Sequence, residues 1–385
     1  MSKITYKTIK CRIYPNKSQM LLIQQHFGCA RFVYNWSLGL KNRYYRRFKK
    51  SVSRYRIQSQ LVKKKKYEKY SWLKDVSSQS LLSSIINMDT AFSNFFKGYA
   101  KFPRFKSKKI PQRSYKCPQY CSLNIDDKRL NIPKIKGIKA KITQEVNGKI
   151  KTVTISQSAT GKYYASILIE TSENIPVPTT IDKDQTIGID LGLEHFIIQS
   201  DGVKVNNPRY FNHSQKLLAI SQKIFSRKEK ESNNYHRQKK KVASCHEKVR
   251  NKRLNHHHQL THKLICENQA TSYAVENLGI KNMVKNSKLS KAISDVGWGQ
   301  FLTLLKYKAK WNGKNVLEIG RFEPSSKTCS HCGYICDKMP LHIRVWTCKN
   351  CNSVLDRDIN ASINIRNIAL ADALGHSVVL RVPTF

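Results

Sequence analysis

Apolar positions in the first hundred residues change period, from two to near 3.6. Ile9, Cys11 and Ile13 alternate with Lys10 and Arg12, which predicts a strand over Ile4 to Tyr14, ended by Pro15-Asn16. From Lys17 to about Ala100 the spacing turns helical, first through Leu21, Leu22, Phe27, Ala30, Val33 and Trp36, then through Leu81, Ile85, Met88, Ala91, Phe92 and Phe95. The lysine run Lys63 to Lys66 between them reads as a loop or an exposed helix end. Phe102-Pro103-Arg104-Phe105-Lys106 closes the helical part. Short β-like runs follow at Leu123–Ile125, Arg129–Ile132, Ile138–Ile142, Val153–Ile155 and Tyr163–Ile169, separated by turn signals such as Asp126-Asp127 and Asn147-Gly148. They predict a small barrel or sandwich, which the amino-terminal strand could join. Thr171 to Asp184, with Pro176 and Pro178, reads as a linker.

Beyond Gln185 the pattern is α/β. Thr186-Ile187-Gly188-Ile189-Asp190 is an apolar strand ending in an acid, His195 to Gln199 is the next strand, and Ser272-Tyr273-Ala274-Val275-Glu276 is a third. Lys216 to Arg253 is a long basic helical stretch, with 13 Lys and Arg against 3 acids. Leu260 to Ser272 and Phe301 to Ala309 read as helices, Asn315 to Ile319 as a strand, and Ile359 to Ile365 as a helix with Asp356 near its start.

Composition narrows what such a chain can do. With 385 residues it exceeds one ordinary core, and 70 Lys and Arg against 25 Asp and Glu leave a formal charge of +45. A surface that positive repels itself unless a polyanion neutralises it. The cations are interleaved with aromatics, as in Arg43-Tyr44-Tyr45-Arg46-Arg47-Phe48, so phosphates can be neutralised while rings stack on bases. Nucleic acid is the expected partner. No apolar run approaches the ~18 residues of a membrane span, and the opening residues lack a signal-peptide core, so a cytoplasmic location is expected.

Two candidate sites carry chemistry. Cys329-x-x-Cys332 and Cys348-x-x-Cys351, 15 residues apart, supply the four thiolates of a closed tetrahedral zinc. The other seven cysteines, Cys336 among them, read as free thiols. Asp190 and Glu276 each follow an apolar strand closely, and groups at the carboxyl ends of strands in an α/β sheet face a common crevice. Asp358, just past the ribbon, could complete a three-carboxylate cage for Mg²⁺ or Mn²⁺, with Asp356 as the competing third ligand and helix capping as its alternative role. Two such ions suit phosphodiester hydrolysis, by activating a water and stabilising the leaving oxygen. His256-His257-His258 reads as part of a solvated basic helix, since three adjacent imidazoles cannot all face one ion.

Taken together, Lys10 to Asn16, Gly28 to Asn35, the Phe-Pro-Arg-Phe-Lys run, Gly188-Ile189-Asp190-Leu191-Gly192, Val275-Glu276-Asn277-Leu278, Ser326 to Gly333 and Asp356 to Asn360 resemble the TnpB (OrfB) proteins of insertion sequences, compact relatives of type V CRISPR effectors. The resemblance implies a multidomain α+β protein. A helical recognition lobe would span 17–104, a β-barrel wedge domain 1–16 with 105–178, and a RuvC-like RNase H-fold nuclease domain 179–324 with 353–385, interrupted by a zinc ribbon at 325–352. It implies a guide RNA from the transposon end, double-stranded target DNA cut beside a short element-associated motif, and a functional link to a separate transposase. It also implies Asp190, Glu276 and Asp358 as catalytic acids and Cys329, Cys332, Cys348 and Cys351 as zinc ligands. An RNase H-fold transposase or recombinase, and a nuclease-dead RNA-guided regulator, are the alternatives.

Overall fold

The computed structural model describes residues 5–109, 113–321, 323–337, 339–340 and 342–375. Ile4 of the expected first strand and residues 376–385 of the expected tail lie outside them. The chain divides into two compact units, residues 1–174 and 175–385.

The first unit opens with β1 (Thr5–Tyr14) and three helices, α1 (Lys17–Phe48), α2 (Arg54–Lys64) and α3 (Ser78–Phe96). Asn16 starts α1 through a reciprocal capping box with Gln19, so the Pro15-Asn16 stop of the strand is also the helix start. Cys29, Val33 and Leu38 of α1 pack against Ile57 and Leu61 of α2 and Leu81, Ile85 and Met88 of α3. Lys63 and Lys64 end α2, and a short 3₁₀ turn, Glu68–Lys74, that periodicity did not reveal leads into α3.

Six further strands complete this unit: β2 (Arg113–Cys117), β3 (Ser122–Asn124), β4 (Arg129–Ile132), β5 (Ile135–Lys141), β6 (Lys149–Gln157) and β7 (Tyr163–Thr171). Their order is β2-β6-β7-β1-β5-β4-β3, antiparallel throughout, with β1 in the centre between β7 and β5. The barrel expected from the sequence is therefore an open sheet: β2 and β3 are its edges and do not pair with each other among the described residues. Closure requires edge-to-edge hydrogen bonds. Here Ile23, Phe27 and Ala30 of α1 enter the core instead, against Ile9, Cys11, Ile13 and the alternating apolar residues of β4 to β7.

The second unit contains β8 (Thr186–Asp190), β9 (His195–Gln199), β10 (Lys204–Asn206), α4 (Tyr210–Ser226), α5 (Asn233–His262), β11 (Ser272–Glu276), α6 (Ile280–Met283), α7 (Ser290–Val296), α8 (Trp298–Trp311) and β12 (Asn315–Ile319). It ends with the hairpin β13 (Val345–Thr347) and β14 (Val354–Asp356), then α9 (Arg357–Ala373). The main sheet runs β10-β9-β8-β11-β12, with β8, β11 and β12 parallel and β9 antiparallel to β8. One face packs on α5, α7 and α8 through Leu260, Ile293, Phe301 and Leu305; the other receives Ile365 and Ala369 of α9. With both faces covered, β9 and β11 are nearly uniformly buried, which is why they read as continuous apolar runs.

Two helical expectations change. The basic stretch Lys216 to Arg253 is not one helix: residues 227–232 turn, Ser232 caps α5, and Phe225 meets Tyr235 at 4.7 Å as the two helices fold side by side. The helix expected at Leu260 to Ser272 is instead the end of α5 and a wide π turn, Lys263–Glu267, from which residues 268–271 lead into β11.

Candidate active site

Asp190 and Glu276 end neighbouring parallel strands, and the register pairs Val275 with Ile189, so the two acids sit side by side at the carboxyl edge. The third, Asp358, stands in the first turn of α9, which lies directly on β8. Gly188 allows that approach: a Cβ there would lie 1.9 Å from the Ser362 carbonyl oxygen and 2.9 Å from the Arg366 Cβ. Burial first, then repulsion from Glu276 and from Asp358, pushes the Asp190 carboxyl up to about 7, against the opposing pull of the Leu191 N–H and Arg357. Asp190 thus feels the charge of both other acids.

Each acid is held by a different part of the chain. The Ser325 hydroxyl donates to Glu276 Oε1 at 2.7 Å, and Asn364 of α9 donates to the Ser325 carbonyl at 2.8 Å. Asp358 stands in the first turn of α9, where the helix dipole favours negative charge. Arg344, from the ribbon, reaches Asp358 Oδ1 at 3.2 Å with one guanidinium nitrogen and Glu194 Oε2 at 3.0 Å with the other. Nothing local in the sequence marks Ser325, Arg344 or Glu194: Ser325 lies 49 positions from Glu276, and Arg344 lies 14 from Asp358 and 150 from Glu194.

Asp356 has another task. Its Oδ1 accepts the N–H groups of Asp358 and Ile359, both at 3.0 Å, making it the amino-terminal cap of α9, and Lys204 donates to its Oδ2 at 2.6 Å. Partial burial raises its pKa, but the Lys204 ammonium and the two N–H groups prevail and hold it below the ordinary carboxylate value.

The four cysteines assigned to zinc by spacing meet. Their sulfurs are the one group of His, Cys, Asp or Glu ligand atoms among the described residues that all lie within 4.8 Å of one another. Cys329 and Cys351 sulfurs are 3.7 Å apart and those of Cys332 and Cys348 3.6 Å. A tetrahedron of thiolates about 2.3 Å from a zinc has edges of about 3.8 Å, so the set fits that ion. Gly333, at φ +78°, makes the first knuckle's turn, and its N–H donates to the Cys329 carbonyl. Cys336 packs in the ribbon core without joining the four. Two asparagines join ribbon to helix: Asn360 accepts from the Ser330 N–H at 2.8 Å, and Asn360 and Asn364 both donate to the Thr328 carbonyl.

The three carboxylates are not drawn together as tightly as the sulfurs. Their chemistry nonetheless fits a hard divalent cation: they are oxygen donors, and Asp190 is repelled by both of the other carboxylates.

The histidine triplet departs from its expected surface role. His257 is fully buried against Phe196 and Phe301, with its Nε2 3.0 Å from the Val296 carbonyl, and His256 and His258 are half-buried. Burial pushes the His257 imidazole down to about 4 and lowers the other two. The polar residues of α5 hid which of its faces meets the sheet.

Residues 298–365 match the family model described as "Cas12f1-like, TNB domain", 166–287 one described as "Probable transposase", and 1–50 one described as "Helix-turn-helix domain". A Streptomyces pristinaespiralis protein named "Putative RNA-guided DNA endonuclease" is 34% identical over 95% of this chain and 90% of its own length. This chain belongs to the TnpB/OrfB family. InsQ of Escherichia coli K12, which carries the same name, is 30% identical over 97% of the TnpB-family chain and 93% of its own. Among solved structures, Cas12f1 in a complex with sgRNA and target DNA shares the fold, with a TM-score of 0.59 and 12% identity over 94% of this chain and 99% of that one. Within residues 1–50, the part described is one strand and one helix, β1 and α1. No helix among the described residues is long and apolar enough to cross a membrane.

Proposed function

We propose that this TnpB-family protein is a transposon-encoded, RNA-guided DNA endonuclease that cuts beside a short element-associated motif, with Asp190, Glu276 and Asp358 as its catalytic acids. The observation that carries the reading is that Asp190 and Glu276 end adjacent parallel strands and Asp358 opens the helix that packs on them. The strand order, with β8 in the middle and acids at the ends of β8 and β11, supports a RuvC-like RNase H-fold domain over 179–324 and 353–385, interrupted by a zinc ribbon over 325–352. The helices of 17–104 would form a recognition lobe, and the open sheet of 1–16 with 105–178 a wedge.

Asp190, Glu276 and Asp358 would hold Mg²⁺ or Mn²⁺, which supplies Lewis-acid stabilisation of phosphoryl oxygens and an activated water. Ser325 orients Glu276, and Asn364 in turn fixes Ser325. Asp356 keeps the first turn of α9 formed, so that Asp358 presents its carboxylate in one direction. Arg344, which bonds Asp358 and Glu194, would add positive charge beside the acids, where negative charge develops on a scissile phosphate. The four cysteines would bind one zinc, whose task is to fix the loop carrying Ser325 and Arg344 against α9.

A charge of +45 is offset by RNA in this reading, and by DNA only when a guide matches it. The test is to purify the protein, sequence the RNA that accompanies it, and challenge the complex in Mg²⁺ with DNA matching that RNA beside a randomised flank. Cleavage confined to matched DNA with one class of flank is the expected result. Site-specific cutting or joining at the element's ends by RNA-free protein would establish the transposase alternative instead.

A further inference from the structure

The end of α3 carries aromatic rings that the core does not use. Phe92 is buried, but Phe96 is 77% exposed, Tyr99 80% and Phe102 48%. The rings form an ordered cluster: Phe96 stacks on Phe92 at 6.3 Å and 24°, and Phe102 stands edge-on to Phe92 and Phe95 at 5.5 and 5.3 Å. Exposed apolar surface of this kind on a folded domain marks a contact.

The backbone beneath the rings is firmly held. Gly98, at φ +72°, turns the chain, and the Tyr99 and Ala100 N–H groups donate to the Asn94 carbonyl at 2.9 and 3.2 Å. The Asn35 side chain donates to the Lys106 carbonyl and accepts its N–H, and Pro103 is buried. Between residues 89 and 106 the one acid is Asp89, which is paired with Lys41 at 2.7 Å, whereas Lys97, Lys101 and Arg104 are exposed. Planar apolar faces rimmed by cations are complementary to unpaired bases and the phosphates that join them.

We propose that this platform receives an unpaired base of the target DNA where the duplex is opened, an inference that rests on the RNA-guided reading above. The faces of Phe96 and Phe102 stack on any base, since every base has a π-face, so the ring contact itself tolerates any base. A guide RNA's scaffold has one sequence, while target DNA differs from site to site. A sequence-blind surface suits the strand that varies.

The test uses the RNA-loaded protein and a guide-matched target, prepared fully paired and, separately, with mismatches that hold the same segment open. 2-Aminopurine in the opened segment reports stacking. Truncating two exposed rings with Phe96→Ala and Phe102→Ala leaves Leu81, Ile85 and Met88, which fill the core from α3, in place. The double variant is expected to slow cutting of the paired target by roughly 5- to 100-fold, the worth of about one stacked base. It should lose 2-aminopurine quenching, keep its RNA, and cut the pre-opened target at the wild-type rate. Phe96→Trp alone, which retains a ring face, should cut the paired target at the wild-type rate. Equal losses on both targets, loss of RNA, or no change at all would overturn the proposal while leaving the nuclease reading standing. A wild-type complex that cuts neither target would overturn that reading, and this proposal with it.

Discussion

Replacing Gly188 with Ala adds one methyl group at the point where α9 crosses β8. The new Cβ would start 1.9 Å from the Ser362 carbonyl oxygen and 3.0 Å from the Arg366 amide nitrogen, both backbone atoms that cannot swing away. Restoring an ordinary contact of 3.4 Å requires α9 to recede by about 1.5 Å. Overpacking of this kind costs about 1–3 kcal/mol of stability. Asp358 lies one turn before Ser362 on the same helix and must move with it. Misplacing a reacting group by about 1 Å costs on the order of 100-fold in rate. Gly188→Ala is therefore expected to stay folded under mild conditions and yet lose on the order of 100-fold or more in guided DNA cleavage. The assay is paired: urea unfolding followed by circular dichroism, and single-turnover cleavage by RNA-loaded protein at a temperature where both variants are fully folded. A folded variant that cuts at the wild-type rate would refute the argument that α9 packing positions the third acid.

Asp190→Ala, Glu276→Ala and Asp358→Ala should each abolish cleavage and leave RNA content unchanged, whereas Asp356→Ala should cost about 1 kcal/mol through its lost cap and slow cleavage only in part; cleavage surviving Asp358→Ala but not Asp356→Ala would reverse the assignment. Elemental analysis should find one zinc per chain, and Cys329→Ser with Cys332→Ser should release it and expose the ribbon to protease, since a structural zinc contributes on the order of 10 kcal/mol in small finger peptides. His257 stays neutral in the fold with its imidazole pushed down to about 4. The unfolded chain takes up a proton near pH 6.5, so this residue's contribution is intact above that value and lost as pH falls toward 4, by at most about 3 kcal/mol. The urea midpoint of wild type should fall through that window more steeply than that of His257→Phe, and parallel curves would refute the assignment.

Much of the chemistry was readable along the chain because it is locally encoded. A Cys-x-x-Cys knuckle brings two sulfurs together within one turn, so two knuckles announced a four-sulfur site before any fold was known. An apolar run closed by an acid, as at Asp190 and Glu276, places that acid at a strand's end whatever surrounds it. The cap of α9 was likewise written into Asp356 and the helix after it.

What the tertiary structure decided are relations between distant segments. Open sheet or barrel depends on whether the edges of β2 and β3 meet, and no run of residues within either strand records that. His257 is buried because one face of a highly polar helix packs on Phe196 and Phe301, and among so many charged side chains periodicity does not mark that face. Gly188 looks like any strand glycine until α9 lies across it. Ser325 and Arg344 become partners of Glu276 and Asp358 because the ribbon returns to the sheet, pinned by Asn360 and Asn364. Periodicity and ligand spacing are properties of neighbours in sequence, whereas a close contact between far segments exists only once the chain has folded back on itself.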